Sequence, residues 1–215
     1  MEGRSALRAI PDPPCAHVTG AVYRAIVLGP GCDVAGSGHT GGVSEAFSDS
    51  RPRRIRDWEV AGGVVLRGDQ LLLVRNRRRN DSVEWSTPGG VVDPGETMLE
   101  ALGREVQEET GIQVHLWEGP LYEITVDFTD LGWRLRVETH LAVDWNGEIV
   151  LEDPDGIVEH ADFYHPDECE VRLVQSPRWV REPLMEWCRR RPDQKLTYRY
   201  QVTGTEIDGL AVTRL

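Results

Sequence analysis

The stretch Gly90 to Ile112, GVVDPGETMLEALGREVQEETGI, constrains this chain more than any other. Asp93-Pro94-Gly95 reads as a turn. Thr97 followed by Glu100 three residues on forms a capping box that starts a helix. Gly111 is placed to end that helix in a left-handed conformation. Leu99, Leu102 and Val106 form an apolar stripe at helical spacing. Glu105, Glu108 and Glu109, at i, i+3 and i+4, share a neighbouring face. One side of the helix is therefore expected to pack on a core while the next presents acid to a cleft. Carboxylates crowded together repel, by roughly 4 kcal/mol for two unit charges about 4 Å apart at an effective dielectric near 20. A hard divalent cation with oxygen ligands would offset that cost.

The same residues resemble a known family. Gly90, Glu96, Arg104, Glu105, Val106, Glu108, Glu109, Gly111 and Ile112 match the Nudix box at every position. The preceding Trp85-Ser86-Thr87-Pro88-Gly89 is similar to the lead into that box. The resemblance spans about residues 56 to 190. It implies an α/β fold, the Nudix-type α/β/α sandwich around a mixed β-sheet, and a pyrophosphohydrolase activity. It also implies that Glu105, Glu108 and Glu109, with the Gly89 carbonyl, hold Mg²⁺ or Mn²⁺. By the same resemblance Arg104 orients the glutamates and Glu96 pairs with Arg104. The general base stays open between Glu105 and a later glutamate: Glu123, Glu138, Glu152 or Glu159.

Order independent of the box points to the same class. Val60 to Leu66 and Leu71 to Val74 are apolar runs split by Arg67-Gly68-Asp69-Gln70, a hairpin signal. A basic loop, Arg75 to Asn80, follows; Arg75 and Arg77 are its candidates for contact with substrate phosphates. Gln113 to Trp117 alternates as a strand. Leu121 to Phe128 and Trp133 to Trp145 read as an antiparallel pair across Thr129 to Gly132. Ile157 to Tyr164 reads as a further strand. Ser176-Pro177 is expected to open a helix with Ser176 as cap, and Pro183 to kink or restart it. Strands around one early acidic helix, then a closing helix, indicate layers of α on β.

Residues 1–53 are rich in Gly, Pro and Ser and read as a flexible leader, or as residues upstream of a working start near Arg54. Residues 54–191 form the expected Nudix hydrolase domain. Residues 192–215 form a C-terminal extension in which Leu196 to Val202 and Leu210 to Leu215 could pair as a hairpin. That tail would cap the domain or join two copies as a homodimer.

Composition narrows the functions. The 215 residues carry 24 basic and 36 acidic side chains, a formal net charge of −12. That speaks against a broad nucleic-acid-binding surface and leaves a small anionic nucleotide substrate open, because a bound cation reverses the local field. The longest aliphatic run of the first fifty residues, Ala25 to Leu28, is too short for a membrane span. The four cysteines form no framework and read as free thiols of a reducing, cytoplasmic compartment. His160 and His165 lack metal-site spacing. Downstream of the box, Asp127 and Phe128 replace the proline of many ADP-ribose hydrolases. Phe128, Thr129 and Asp130 replace the tyrosine of dinucleoside polyphosphate hydrolases, and no SQPWPFxS follows. The expectation left is MutT-like clean-up of nucleoside triphosphates or related nucleotides. The alternatives are hydrolysis of ADP-ribose or another nucleotide sugar, a non-catalytic nucleotide sensor, and an isomerase or RNA-end hydrolase on the same fold.

Overall fold

The computed structural model describes residues 55–77, 82–154, 156–205 and 209–215. The expected leader and the Arg78–Asn80 part of the basic loop lie outside them. The described strands are β1 (Arg56–Arg67), β2 (Gln70–Arg77), β3 (Val83–Ser86), β4 (Gly89–Val91), β5 (Gln113–Phe128), β6 (Trp133–Asn146), β7 (Val158–Tyr164), β8 (Leu196–Thr203) and β9 (Ala211–Arg214). The helices are α1 (Met98–Thr110), α2 (Pro166–Arg172) and α3 (Arg178–Arg190).

The strands form one mixed sheet in the order β3-β2-β1-β6-β5-β8-β9, with β4 also on β1 and β7 also on β2. β1 runs parallel to β6 from Arg56↔Trp133 to Val65↔Ala142. Its other edge is divided. β2 holds it only at Leu66↔Leu71 and Arg67↔Gln70, whereas β4 holds it from Val60↔Val91 to Gly62↔Gly89. β2 thus diverges from β1 beyond the hairpin, and a cleft opens between them.

Two cores fill the two faces. Ala61, Val65, Leu72 and Val74 meet Leu102 and Val106 of α1 on one face. Phe128, Trp133, Leu135 and Tyr200 meet Trp179, Leu184 and Trp187 of α3 on the other. The result is the α/β/α sandwich around a mixed sheet. The tail joins the same sheet: β8 pairs parallel with β5, and β9 pairs antiparallel with β8.

Several local expectations need correction. β5 is one strand rather than two segments. Its register shifts where Gly119 and Pro120 interrupt the ladder, because proline has no N–H to donate. β2 continues through Arg77, so Arg75 and Arg77 sit on a strand and not in a loop. Ser176 does not cap α3 through its side chain; its hydroxyl donates to the Trp85 carbonyl at 2.6 Å, and the helix runs from Arg178 without a restart at Pro183. The short helix α2 was not anticipated, although Pro166 at its first turn is a start signal.

Candidate active site

Helix α1 begins as its sequence requires. Thr97 Oγ1 accepts from the Glu100 N–H at 3.3 Å, and a Glu100 carboxylate oxygen accepts from the Thr97 N–H at 2.8 Å. Gly111 ends it at φ 75°, its N–H donating to the Gln107 carbonyl at 2.8 Å. The apolar stripe is displaced from the expected one. Leu99 is 42% exposed, while Glu105 and Glu109 are each 1% exposed. The glutamate face is thus turned onto the sheet, and only Glu108 among the three is half-exposed.

Arg104 organises these acids. Its Nε and Nη2 donate to the two Glu96 oxygens at 2.8 and 2.9 Å, a two-pronged pair with fixed geometry. Nη1 donates to Glu105 at 2.8 Å and to Glu108 at 3.3 Å. Hydrogen bonding to Glu96 raises the Arg104 pKa further above its ordinary value. Glu109 is held separately, accepting from the Gly89 N–H at 2.9 Å. The box residues Glu96, Arg104, Glu105, Glu108 and Glu109 therefore converge with Gly89.

The strand facing α1 must be glycine. A Cβ at Gly90 would lie 2.3 Å from the Glu105 carboxyl carbon. At Gly89, with φ 146°, it would lie 2.2 Å from the Ala61 carbonyl oxygen. This cradle brings Glu105 against the backbone and away from water. Burial pushes the Glu105 carboxyl up to about 8, against the opposing pull of Arg104. One of its oxygens, Oε2, is buried with no hydrogen-bond partner among the described residues.

That orphaned oxygen is where the residues fit a cation. Among the described residues no three His, Cys, Asp or Glu form a ready-made metal cage, because Arg104 draws in Glu105 and Glu108 while Gly89 holds Glu109. The donors are nonetheless all hard oxygens, the chemistry that Mg²⁺ and Mn²⁺ take.

The other candidates fall elsewhere. Arg75 and Arg77 both donate to Glu159, Arg75 at 3.1 Å, and the Arg77 contact first holds the Glu159 carboxyl below the usual range. Glu123 pairs with Lys195 at 2.6 Å, and Glu138 accepts from His140 Nε2 at 3.4 Å. Glu152 lies in the loop after β6, which is fastened to the end of α1 by the Val150 N–H and Thr110 carbonyl at 2.9 Å. Cys169 and Cys188 are free thiols, and burial pushes Cys169 up to about 12.

The cleft between β1 and β2 includes Gly89 in its lining. Trp85, Tyr122 and Trp179 line it, with Asn76, Ser86 and Thr139 as polar members. Asn76 escaped the sequence reading. Its signal was an uncharged amide between two arginines on an alternating strand, which turns it to the face opposite theirs.

The family model for the NUDIX domain matches residues 57–188, more than half of the chain. The NAD-capped RNA hydrolase NudC of Stutzerimonas stutzeri (strain A1501) is 34% identical over 106 residues, 48% of this chain and 35% of that protein. The 8-oxo-dGDP phosphatase NUDT18 of Homo sapiens is 32% identical over 90 residues, 40% of this chain and 27% of that protein. The chain thus spans about a third of the length of these curated relatives. The solved MutT protein of Bacillus halodurans superposes with a TM-score of 0.53 at 24% identity, covering 72% of this chain and 97% of its own. At that identity the likeness concerns the fold. No helix among the described residues is long and apolar enough to cross a membrane.

Proposed function

The chain belongs to the NUDIX family, and from that membership we propose that it is a metal-dependent pyrophosphohydrolase, cleaving a nucleoside diphosphate linked to a further group. Nucleoside triphosphates are the substrate class we favour. The observation that carries the reading is the buried Glu105 carboxylate, one oxygen tied to Arg104 and the other unpaired beneath Gly90.

Glu105, Glu108, Glu109 and the Gly89 carbonyl would hold Mg²⁺, with Mn²⁺ as the alternative. Such an ion supplies neutralisation of the pyrophosphate oxygens and acidifies water for in-line attack. Arg104, anchored on Glu96 by two hydrogen bonds, keeps Glu105 and Glu108 in place before the ion arrives. The Gly89 N–H fixes Glu109. For the general base we favour Glu152 over the other later glutamates. Its loop is fastened to the end of α1 that carries Glu108 and Glu109, and it is exposed, whereas Glu159 is engaged by Arg75 and Arg77 and Glu123 by Lys195. The half-buried Arg75 and exposed Arg77 on β2 would exchange Glu159 for substrate phosphate.

A substrate panel tests this reading. Purified protein with Mg²⁺ or Mn²⁺ should release a mononucleotide from at least one of the nucleoside triphosphates, an 8-oxo-guanine nucleotide, ADP-ribose or NAD. Silence across the panel with both ions would overturn it.

A further inference from the structure

We propose that the C-terminal hairpin β8–β9 is a working part of the hydrolase. Arg178 is its positioning residue, tying the first turn of α3, and with it part of the cleft lining, to the Val212 carbonyl. This rests on the nucleotide-hydrolase reading above and adds what holds that cleft in shape. Both strands lie beyond residues 57–188, which the family model matches.

α3 has a poor start in its own sequence. Pro177 at its cap makes no side-chain cap hydrogen bond, and no acid stands in its first turn. Arg178 and Arg181 stand there instead, cations at the end of a helix where the dipole favours anions. The Arg178–Glu182 pair, at 2.7 Å, also runs in the poorer direction, with the base N-terminal to the acid. The hairpin offsets this start. Arg178 Nη1 donates to the Val212 carbonyl of β9 at 2.9 Å while its Nε donates to Glu182 Oε1. The other Glu182 oxygen accepts from the Tyr200 hydroxyl of β8 at 3.1 Å. One turn on, Glu186 accepts from Arg214 Nη2 of β9 at 3.2 Å. One guanidinium thus joins the start of the helix to both strands.

The turn held in this way shapes the cleft, since Pro177, Trp179 and Val180 belong to its lining. The same hairpin backs a second part of the lining. Tyr122 meets Tyr198 of β8 edge-on at 6.1 Å between ring centroids. α1, which carries the box carboxylates, packs on the other face of the sheet. A shift of the first turn of α3 therefore alters the cleft and leaves those carboxylates in place. The tie acts on substrate binding and not on the chemical step.

Arg178→Met tests this, because it keeps the aliphatic stem and removes both hydrogen bonds. KM for the fastest-cleaved member of the panel above should rise by about two- to tenfold, with kcat within about twofold of wild type. Arg178→Lys, a single point donor in place of the fork, should recover part of that rise, and carries the test if Arg178→Met fails to fold. Hydrogen exchange without nucleotide should quicken together in residues 178–181 and 211–214. That sign is diagnostic, since removing a cation from a helix start would by itself steady the turn. Exchange that is unchanged or slower would overturn the proposal. KM within about 1.5-fold of wild type, or a fall in kcat at constant KM, would also overturn it, leaving the hairpin a strap for stability alone. If the whole panel is silent, only the hydrolase reading fails, and the exchange measurement decides whether the tie exists.

Discussion

Substituting Gly90 by alanine probes whether Glu105 must sit where it does. The added Cβ would stand 2.3, 2.4 and 2.7 Å from the Glu105 carboxyl carbon and its two oxygens. Ordinary van der Waals contact begins near 3.4 Å, so the carboxylate must retreat by about 1 Å in a close-packed interior. Glu105 is 1% exposed and has no solvent to move into. The displacement strains its 2.8 Å hydrogen bond from Arg104. Overpacking of this kind costs about 1–3 kcal/mol, which lowers the melting temperature by roughly 2–12 °C for a chain of this size. A misplacement of about 1 Å in a catalytic group costs on the order of 100-fold in rate. Gly103→Ala is the internal control. It lies within α1 with nothing within 4 Å of the added Cβ, and should gain about 0.5–1 kcal/mol from reduced chain entropy. Differential scanning calorimetry and turnover with Mg²⁺ measure both variants. Gly90→Ala activity within about threefold of wild type, where a hundredfold loss is expected, would refute the view that this cradle positions the carboxylate.

Other substitutions separate the roles of the helix. Glu109→Gln should lower kcat by on the order of 100-fold while leaving the melting temperature near wild type, since the amide oxygen still accepts from Gly89; near-normal turnover would remove Glu109 from the metal set. Arg104→Lys loses the two-pronged grip on Glu96 and should destabilise by about 2–3 kcal/mol, with activity falling in parallel. Thr97→Ala removes one side of the capping box and should cost about 1 kcal/mol with kcat retained, measured by urea denaturation. Burial lowers the His140 pKa from 6.5, so the unfolded chain binds more protons there in acid. The His140 contribution should therefore be lost as pH drops below about 6.5, against the opposite contribution of the buried Glu105 carboxyl, and His140→Gln should leave melts recorded across that range less destabilised by acid than those of the wild type.

What the sequence made legible was local. The capping box and Gly111 bound α1 within a few residues, and the alternation of Leu121 to Phe128 and Trp133 to Trp145 announced the β5–β6 pair. Which side of α1 faces the sheet was not legible. Periodicity places Leu99, Leu102 and Val106 on one stripe, but the partner surface decides the rotation, and here it is two glycines that admit a carboxylate. β4 has only three residues, two of them glycine, and carries no alternation to read. Its pairing with β1 follows from where β1 lies, which is a long-range fact. Asn76 was hidden for a similar reason, because its burial and its hydrogen bond depend on Ser86 arriving beside it from another strand.

The rotation of α1 also divides stability from chemistry. Turning Glu105 and Glu109 inward makes the α1 face a poor place to stabilise the fold, since two buried carboxylates displace apolar packing and carry a desolvation cost. The opposite face compensates. Among the described residues its core holds 21 buried residues against 11 on the α1 side, and of their buried aromatic residues only Phe163 belongs to the α1 side. Phe128 stacks on Trp133 at 4.6 Å and meets Trp179 edge-on at 5.6 Å in that far core. Leu184→Ala, buried at 1% exposure there, should therefore cost about 2–5 kcal/mol of stability while the surviving folded fraction keeps its kcat. Glu109→Gln should show the reverse pattern. If Leu184→Ala instead lowered kcat in proportion to its loss of stability at a temperature where it is fully folded, the two faces would be coupled and this division would be wrong.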